Sequence, residues 1–497
     1  MNEYRQEIVL SCVGLYMLAC LWVGIWALRR THSVGDFFMA GRSLGMWVTA
    51  MAIFSSTLSG FGFVGGPGLV YRMGMSSIWI VICATVGHAL KFYLLGKRIR
   101  VFSEVYQPNS LADVVAIRYG SQTTRVLISL AILAGVMSYL GAQILAMATV
   151  LQQLVAENNG AQWSLALCVV LSTTVLVFYC VTGGIVASVY TDLFQGTIML
   201  LAALLVFFTA ATSVDGGFTQ ISQTIMQDNP AAMGPWGTLG MIGCLSWYFL
   251  FAMGGTGQPH VITKFMMNRR MSDVKYIYPI ALLGFLLSAL LWLSVGLVMR
   301  TLVLQGLHPE LSTADAAAPQ FLQHYAHPVL AGIVFAALFA AIMSTADGFL
   351  NVGAAAIVHD IPQALMGHSL KRELLWVRLA TVGMAAVAAL FALYSPFTLV
   401  ALLGKYGWGV FAAACVPVVA IGFNWQRANA LAANTTLICG LVMNFGVLIA
   451  EAWGLSISYG IDSSALTLLV SLVIFILVSL LSPQQPLPED VRQVMEI

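Results

Sequence analysis

Thirteen apolar stretches, each long enough to cross a bilayer, constrain the fold of this chain more than any other feature. A transmembrane helix needs about 20 apolar residues to span the hydrocarbon core. The stretches lack the apolar–polar alternation of a membrane β-barrel. The sequence therefore predicts an all-α polytopic membrane protein. We number the predicted spans 1 to 13, at residues 7–28, 45–71, 76–97, 122–154, 162–183, 188–212, 237–262, 275–301, 328–358, 373–394, 396–421, 428–452 and 463–482.

The composition excludes soluble classes of protein. Of the 497 residues, 60% are hydrophobic and only 8% are charged, whereas soluble domains carry about 25% charged residues. The sequence contains neither the phosphate-binding loop of an ATP-driven pump nor an HExxH metalloprotease motif. We therefore expect no enzyme, no organic cofactor and no nucleic-acid partner. The expected partners are a small-molecule solute and the lipid bilayer, with the oligomeric state open and a monomer as one option.

The distribution of basic residues predicts the orientation, because cytoplasmic loops are enriched in Lys and Arg. With the N-terminus outside, only Arg5, Arg72 and Arg300 fall outside, and the loops at 213–236 and 302–327 hold no Lys or Arg. Thirteen spans then place the C-terminus in the cytoplasm of a multi-pass cell (inner) membrane protein. The residues expected inside are Arg29, Arg30, Arg42, Lys97, Arg98, Arg100, Arg118, Arg125, Lys264, Arg269, Arg270, Lys275, Lys371, Arg372, Arg427 and Arg492.

Two spans carry helix-breaking residues near their middle. Span 2 has four hydroxyl residues between Ser55 and Ser59, followed by five glycines and Pro67. Span 7, five spans later, contains a similar interruption at 253–260. Paired interrupted helices are typical of inverted-repeat transporters, in which unwound backbone carbonyls bind cations. The alternative is tight helix packing through small residues, with Ser and Thr bonded to their own helix.

Span 9 supplies a matching stripe of small and hydroxyl residues. Ala341, Ser344 and Thr345 share one helical face, and a hard cation prefers oxygen ligands of this kind. Asp347 lies beside them, where an acid is costly unless it has a partner, a bound cation or a proton. Asp192 in span 6 is the other acid, so the two carboxylates are candidates for a second cation or proton site. Local hydrogen bonding of Asp347 and an interfacial position for Asp192 remain the alternative.

The chain resembles the sodium/solute symporter family, within its sodium/proline-like branch. The resemblance runs from about residue 20 to 480 and is most specific at GRSLG (41–45), GQPH (257–260), AIMST (341–345) and Thr191-Asp192. It implies a five-plus-five inverted-repeat core, as in leucine-transporter-like proteins, with flanking helices. We interpret the chain as a single membrane transport domain, 1–497. Its parts are the first helix and cytoplasmic loop (1–44), the two inverted repeats (45–212 and 237–421), two C-terminal helices (428–482) and a short cytoplasmic tail (483–497).

The resemblance also implies the site residues. Na⁺, the expected coupling ion, would be bound by the carbonyls of Ser55, Leu58 and Ala341 and the hydroxyls of Ser344 and Thr345. Some family members hold a second sodium with the residue matching Asp192 and two serines. Here those serine positions are Asp347 and Gly348, which favours protonation or a changed stoichiometry. The expected solute-binding residues lie on spans 2, 4 and 7: Thr57, Ser59, Tyr139, Phe251, Gly255 and Gln258.

The sequence therefore predicts sodium-coupled symport of a small organic solute into the cell by alternating access. The solute would be an amino acid such as proline, or another small carboxylate. Thr57 replaces an aspartate of the proline transporters, and Phe251 and Gly255 replace a Trp and a Tyr, which predicts a larger pocket. Tyr139 matches, while residues 63–71 look more like pantothenate-type members. The alternatives are sodium/pantothenate-type or proton-coupled uptake, a transporter-like membrane sensor, and a channel.

Overall fold

The chain folds into long apolar helices that pack side by side. The computed structural model describes residues 4–155, 163–394, 400–455, 460–484 and 486–496. Among these residues there is no β-strand, only one isolated bridge between Leu44 and Asn268. Within the described ranges, ten helices are long and apolar enough to cross a membrane. The predicted all-α, multi-pass class is therefore confirmed.

The thirteen expected spans correspond to the following helices, in chain order. Spans 1 to 4 are Arg5–Leu28, Met46–Gly60 with Gly66–Met73, Ile78–Lys91 with Lys97–Tyr106, and Gln122–Val155. Spans 5 and 6 together form Leu165–Thr212, and spans 7 to 9 are Gly240–Gly254 with Pro259–Met267, Val274–Leu304, and Pro328–Ala355 with Ile361–Met366. Spans 10 to 13 are Glu373–Tyr394, Val400–Val410 with Phe411–Ile421, Ala430–Ala452, and Ser463–Leu481.

Parts of the predicted boundaries lie outside the described residues. These are residue 162 at the start of span 5, residues 396–399 at the start of span 11, residues 456–459 between spans 12 and 13, and residues 485 and 497 of the predicted tail. The polar loops at 213–236 and 302–327 contain short helices, as do other connections and the tail. These helices are Val34–Met39, Leu111–Tyr119, Gly217–Asp228, Pro230–Met233, Ala317–His324 and Glu489–Met495.

Spans 5 and 6 meet at the expected turn. A tight turn was predicted at 182–184, and the two helices that make up Leu165–Thr212 are separated by a kink at Gly184, where φ is +53° and ψ is −140°. Glycine adopts this conformation because it has no Cβ. A Cβ at Gly184 would lie 2.7 Å from the ring of Phe37, so the break also lets the Val34–Met39 helix approach closely.

Span 9 is the centre of the packing. Every residue from Val334 to Ala355 is buried, and the helix contacts spans 1, 2, 4, 5, 6 and 10. Span 1, by contrast, exposes Leu15, Leu18, Trp22 and Ile25 at helical spacing, as expected for a face that meets lipid. A helix enclosed on all sides is a firm support for a binding site, and the polar stripe of span 9 faces its neighbours rather than the lipid.

Candidate cation and solute site

The first half of span 2 ends at a strained residue. Ser59 has a φ of +54° and a ψ of 177°, a conformation that is uncommon for residues other than glycine. Two side chains of span 4 hold this break. The amide of Gly60 donates to Oε1 of Gln143 at 2.8 Å, and the hydroxyls of Ser59 and Tyr139 are 3.0 Å apart. Span 2 is therefore interrupted where the sequence predicted it.

The hydroxyl stripe of span 9 meets the turn just before this break. Thr345 Oγ1 donates to the carbonyl oxygen of Ser56 at 2.9 Å, and Ser56 Oγ donates to the carbonyl of Ser344 at 2.7 Å. Ser344 Oγ and Thr345 Oγ1 both also contact the carbonyl of Ala341, at 3.1 and 3.4 Å. Hydrogen bonds thus connect three of the five expected sodium ligands to Ser56, which directly follows the fourth ligand, Ser55. The three are Ala341, Ser344 and Thr345.

The other two expected ligands belong to the same turn of span 2. Ser55 and Leu58 are both buried, and Leu58 directly precedes the strained Ser59. The Ser55 hydroxyl donates to the carbonyl of Ala52 at 3.3 Å. The donor set of carbonyls and hydroxyls contains no thiol, and oxygen ligands of this kind suit an alkali cation. These residues therefore fit Na⁺ by their chemistry.

The two buried acids have separate partners. The Asp192 carboxylate forms a fully buried ion pair with Lys264, with 2.6 Å between Oδ2 and Nζ. The Asp347 carboxylate accepts hydrogen bonds from Tyr179 OH at 2.9 Å and from Ser188 Oγ at 2.8 Å. Ser188 and Asp192 lie four residues apart in span 6 and so share one helical face. The expected second site therefore comprises two neighbouring polar clusters, one of which already holds a side-chain cation.

The expected position of Lys264 was wrong. The charge distribution placed it in a cytoplasmic loop, yet it lies in the half-helix Pro259–Met267, all of whose residues are buried. The loop assignment failed because the half-helix continues past the break at 255–258 into the protein interior. A signal was present, since Lys264 follows His260 by four residues and so shares its helical face.

The solute-binding candidates fall into two groups. Ser59 and Tyr139 touch each other at the break of span 2, while Thr57 donates back to the carbonyl of Ile53 at 2.6 Å within its own helix. In span 7, Phe251 packs on Trp408 with ring centroids 5.4 Å apart. Gly255 and Gln258 are buried nearby in the same interruption.

An aromatic cluster lies between these two groups. The ring of Phe349 in span 9 packs at a tilt against Tyr139, with 4.9 Å between centroids, and against His260, with 4.2 Å between centroids. On the other side Trp408 lies so near that a Cβ at Gly254 would be 2.4 Å from its Nε1. The space expected from the smaller residues of span 7 is thus partly filled by a tryptophan of span 11.

Several buried polar atoms around this region have no hydrogen-bond partner among the described residues. They are Nε2 of Gln143, Oε1 of Gln258, Nδ1 of His260 and Nε1 of Trp408. Buried polar groups normally find partners, so these donors and acceptors are available to a polar solute. The sequence analysis missed Gln143, although a glutamine four residues after Tyr139 in an apolar helix was a visible signal.

Comparison with known proteins agrees with the family resemblance of the sequence. The family model described as "Sodium:solute symporter family" matches residues 37–440. The osmoregulated proline transporter OpuE of Bacillus subtilis (strain 168) is 28% identical over 481 residues, covering 96% of this chain and 95% of the relative. The sodium/proline symporter of Escherichia coli (strain K12) is 30% identical over 446 residues, covering 87% of this chain and 86% of the relative.

Solved structures confirm the fold class. A substrate-bound, outward-open Na⁺-coupled sialic acid symporter superposes with a TM-score of 0.79 at 20% identity, covering 97% of this chain and 99% of that one. Mhp1, a nucleobase-cation-symport-1 family transporter in a closed conformation with bromovinylhydantoin bound, gives a TM-score of 0.58 at 13% identity, covering 93% and 98%. At such identities the likeness concerns the fold alone.

Proposed function

The chain belongs to the sodium:solute symporter family, and on that premise we propose that it carries proline or a closely related small carboxylate into the cell together with Na⁺. It is a secondary transporter and not an enzyme. Two relatives that align over most of its length are sodium/proline or proline transporters. The observation that carries the proposal is the strained break at Ser59, hydrogen-bonded to span 4 and lying beside the hydroxyls of span 9.

In the proposed mechanism, Na⁺ binds between spans 2 and 9. The carbonyls of Ser55, Leu58 and Ala341 and the hydroxyls of Ser344 and Thr345 would coordinate it. Both hydroxyls now donate to carbonyls, and their oxygens would turn to the cation when it binds. Because the ion would tie the interrupted half of span 2 to a fully buried helix, it would hold the break in one conformation.

The solute would bind on the other side of the same break. Ser59, Tyr139 and Gln258 offer hydroxyl and amide groups there, Thr57, Phe251 and Gly255 shape the adjoining surface, and Gln143 adds an unpaired donor. An amino acid has both a carboxylate and an ammonium group to pair with such donors and acceptors. Since one break serves both ligands, Na⁺ raises the affinity for the solute and the solute raises that for Na⁺ by the same factor. Alternating access would then move one helix bundle against the other around this site.

The test is uptake of radiolabelled proline into proteoliposomes with an inward Na⁺ gradient, compared with K⁺ and with a proton gradient alone. We expect Ser344→Ala combined with Thr345→Ala to reduce the Na⁺-stimulated rate at least about tenfold, or roughly 1.4 kcal/mol. The matched control is Ser172→Ala combined with Thr173→Ala, a buried Ser-Thr pair in span 5 outside the site. Unchanged Na⁺ dependence in the first variant would contradict the assigned ligands. Uptake driven by protons alone would favour proton coupling.

Counterflow separates a carrier from a channel and also tests the solute. Proteoliposomes loaded with unlabelled proline should transiently accumulate labelled proline, which a channel cannot do. A panel of amino acids and pantothenate as competitors then ranks the candidate solutes. Binding without counterflow would favour a sensor, and competition by pantothenate but not by proline would reassign the solute.

We also propose that the N-terminus lies outside and the C-terminus in the cytoplasm of the inner membrane. The basic residues support this orientation, with Lys264 now removed from the loop count. A green fluorescent protein fused to the C-terminus should fluoresce, and alkaline phosphatase fused there should be inactive. The opposite pattern would invert the topology.

A further inference from the structure

Lys264 brings a positive charge into the interior next to the candidate sodium site. Its side chain is fully buried, and its Nζ lies 2.6 Å from Oδ2 of Asp192 and 3.0 Å from the carbonyl oxygen of Ala52. It also donates to Oγ of Ser56. A buried charge is stable only when paired and hydrogen-bonded, and here three oxygens from spans 2 and 6 satisfy the ammonium.

This set of oxygens has the chemistry of a cation site. A carboxylate, a carbonyl and a hydroxyl are hard oxygen ligands of the kind that alkali and alkaline-earth cations take. The ammonium occupies the position from which a free cation would neutralise Oδ2 of Asp192. Two cations sharing one buried carboxylate would repel each other strongly, because charges interact at low dielectric over short distances. Lys264 and a second Na⁺ therefore exclude each other at Asp192.

The ammonium is also linked to the first cation site. Ser56, which receives a hydrogen bond from Lys264, donates to the carbonyl of Ser344 and accepts from Thr345 through its own carbonyl. The ammonium of Lys264, on the half-helix of span 7, is thus hydrogen-bonded to the turn of span 2 that is proposed to bind Na⁺. A free ion in this place would leave on each cycle, whereas the lysine stays.

Building on the proposed function, we propose that Lys264 is a tethered cation that fills a second cation site at Asp192, so that the protein couples transport to a single Na⁺. Removal of the ammonium opens this latent site to an alkali cation. The neighbouring Asp347 does not supply the site in the native chain, because its carboxylate oxygens are engaged by Tyr179 and Ser188.

The experiment measures equilibrium binding of ²²Na⁺ alone to the purified full-length protein. We expect about one Na⁺ per native chain and about two for Lys264→Gln, because the freed carboxylate then attracts a cation. Lys264→Arg keeps the charge and should stay at about one. Lys264→Gln combined with Asp192→Asn removes both charges and should return to about one.

Thermal unfolding guards against a variant that folds poorly. Lys264→Gln leaves Asp192 buried without a counter-charge, so its Tm should rise with NaCl more steeply than that of the native chain, and the double variant should lose this extra rise. Two Na⁺ bound to the native chain, or a folded Lys264→Gln with unchanged binding and the native salt response, would overturn the proposal. A native chain that binds no Na⁺ would overturn the proposed sodium coupling itself. A native chain that binds two Na⁺ would leave sodium coupling in place and overturn only the role of Lys264.

Discussion

At the scale of single residues, Gln143 has two tasks. Its Oε1 accepts a hydrogen bond from the Gly60 amide at the break, while its Nε2 is buried without a hydrogen-bond partner among the described residues. A break in a membrane helix survives only where neighbouring groups satisfy the freed backbone. Gln143 therefore connects the backbone of span 2 to the proposed solute.

We predict that Gln143→Leu raises the KM for solute at least about tenfold and lowers Tm. The unsatisfied Gly60 amide alone should cost about 1–3 kcal/mol. The measurements are uptake kinetics in proteoliposomes and thermal unfolding in detergent. Gln152→Leu, at the half-buried end of the same helix, serves as the control. Native KM in the Gln143 variant would remove this residue from the solute site.

A second residue-scale prediction concerns Ser59 and Tyr139, whose hydroxyls meet at 3.0 Å. Ser59→Ala and Tyr139→Phe should each weaken uptake, and the double variant should be little worse than either, with a coupling energy of about 0.5–1.5 kcal/mol. Additive losses would show that the two hydroxyls act independently. Val150→Ala with Tyr139→Phe provides an additive reference on the same helix.

At the scale of elements, the second half of span 2 is held by a close approach to span 8. A Cβ added at Gly66 would lie 1.1 Å from Nε1 of Trp292, so no side chain fits there without moving the indole. The helix Gly66–Met73 contacts Val274–Leu304 along its length. The glycines after the break therefore serve packing as well as unwinding.

We predict that Gly66→Ala destabilises the protein by about 1–3 kcal/mol, the usual cost of overpacking a tight interface. Thermal unfolding and the amount of folded protein in the membrane measure this effect. Gly45→Ala, before span 2, is the control because nothing lies within 4 Å of its added Cβ. An unchanged Tm in the Gly66 variant would mean that Trp292 moves aside freely.

The elements were more predictable from sequence than the contacts that hold them. Both interruptions and the stripe from Ala341 to Thr345 were readable, because helix breakers and helical spacing are local properties. The pairing of Asp192 with Lys264 was not, since it joins residues 72 positions apart across a half-helix whose path follows from packing. The turn at Gly184 was readable for the same reason as the two interruptions, because glycine is the residue that most readily adopts a positive φ.

At the scale of the whole molecule, a buried charge cluster ties several helices together at one end. Asp113 of the helix Leu111–Tyr119 pairs with Arg125 of span 4 at 3.0 Å and with His359, between the two helices of span 9, at 3.0 Å. His359 also contacts Glu373 of span 10 at 2.8 Å. These groups link elements that are distant in sequence. Each ring nitrogen of His359 contacts a carboxylate, Nε2 that of Asp113 and Nδ1 that of Glu373.

This cluster predicts sensitivity to acid. Burial raises the pKa of Asp113, but the hydrogen bond and charge of His359 and the charge of Arg125 together bring that pKa below its usual value. A depressed carboxyl pKa gives stability that is complete above the unfolded pKa, near 3.9, and is lost as pH falls through the folded pKa. The native chain should therefore lose this contribution progressively as the pH falls below about 4.

We predict that Asp113→Asn lowers Tm at pH 7 and flattens the fall of Tm as the pH is reduced toward about 3. Thermal unfolding across this pH range measures both effects. Asp215→Asn, at an exposed aspartate after span 6, should leave the profile as it is. Parallel profiles for the native chain and the Asp113 variant would contradict a role for Asp113 in acid stability.

The lysine beside Asp192 also sets a limit on accumulation. One Na⁺ that enters down an inside-negative potential of 100 mV releases about 2.3 kcal/mol, and a tenfold inward Na⁺ gradient adds about 1.4 kcal/mol. Spent on one neutral solute molecule, this sum supports an inside-to-outside concentration ratio of roughly 500. A second Na⁺ would square that ratio. The charge of Lys264, which stays in the protein, therefore lowers the concentration ratio that the transporter can reach, and it also lowers the amount of Na⁺ that enters the cell with each solute molecule.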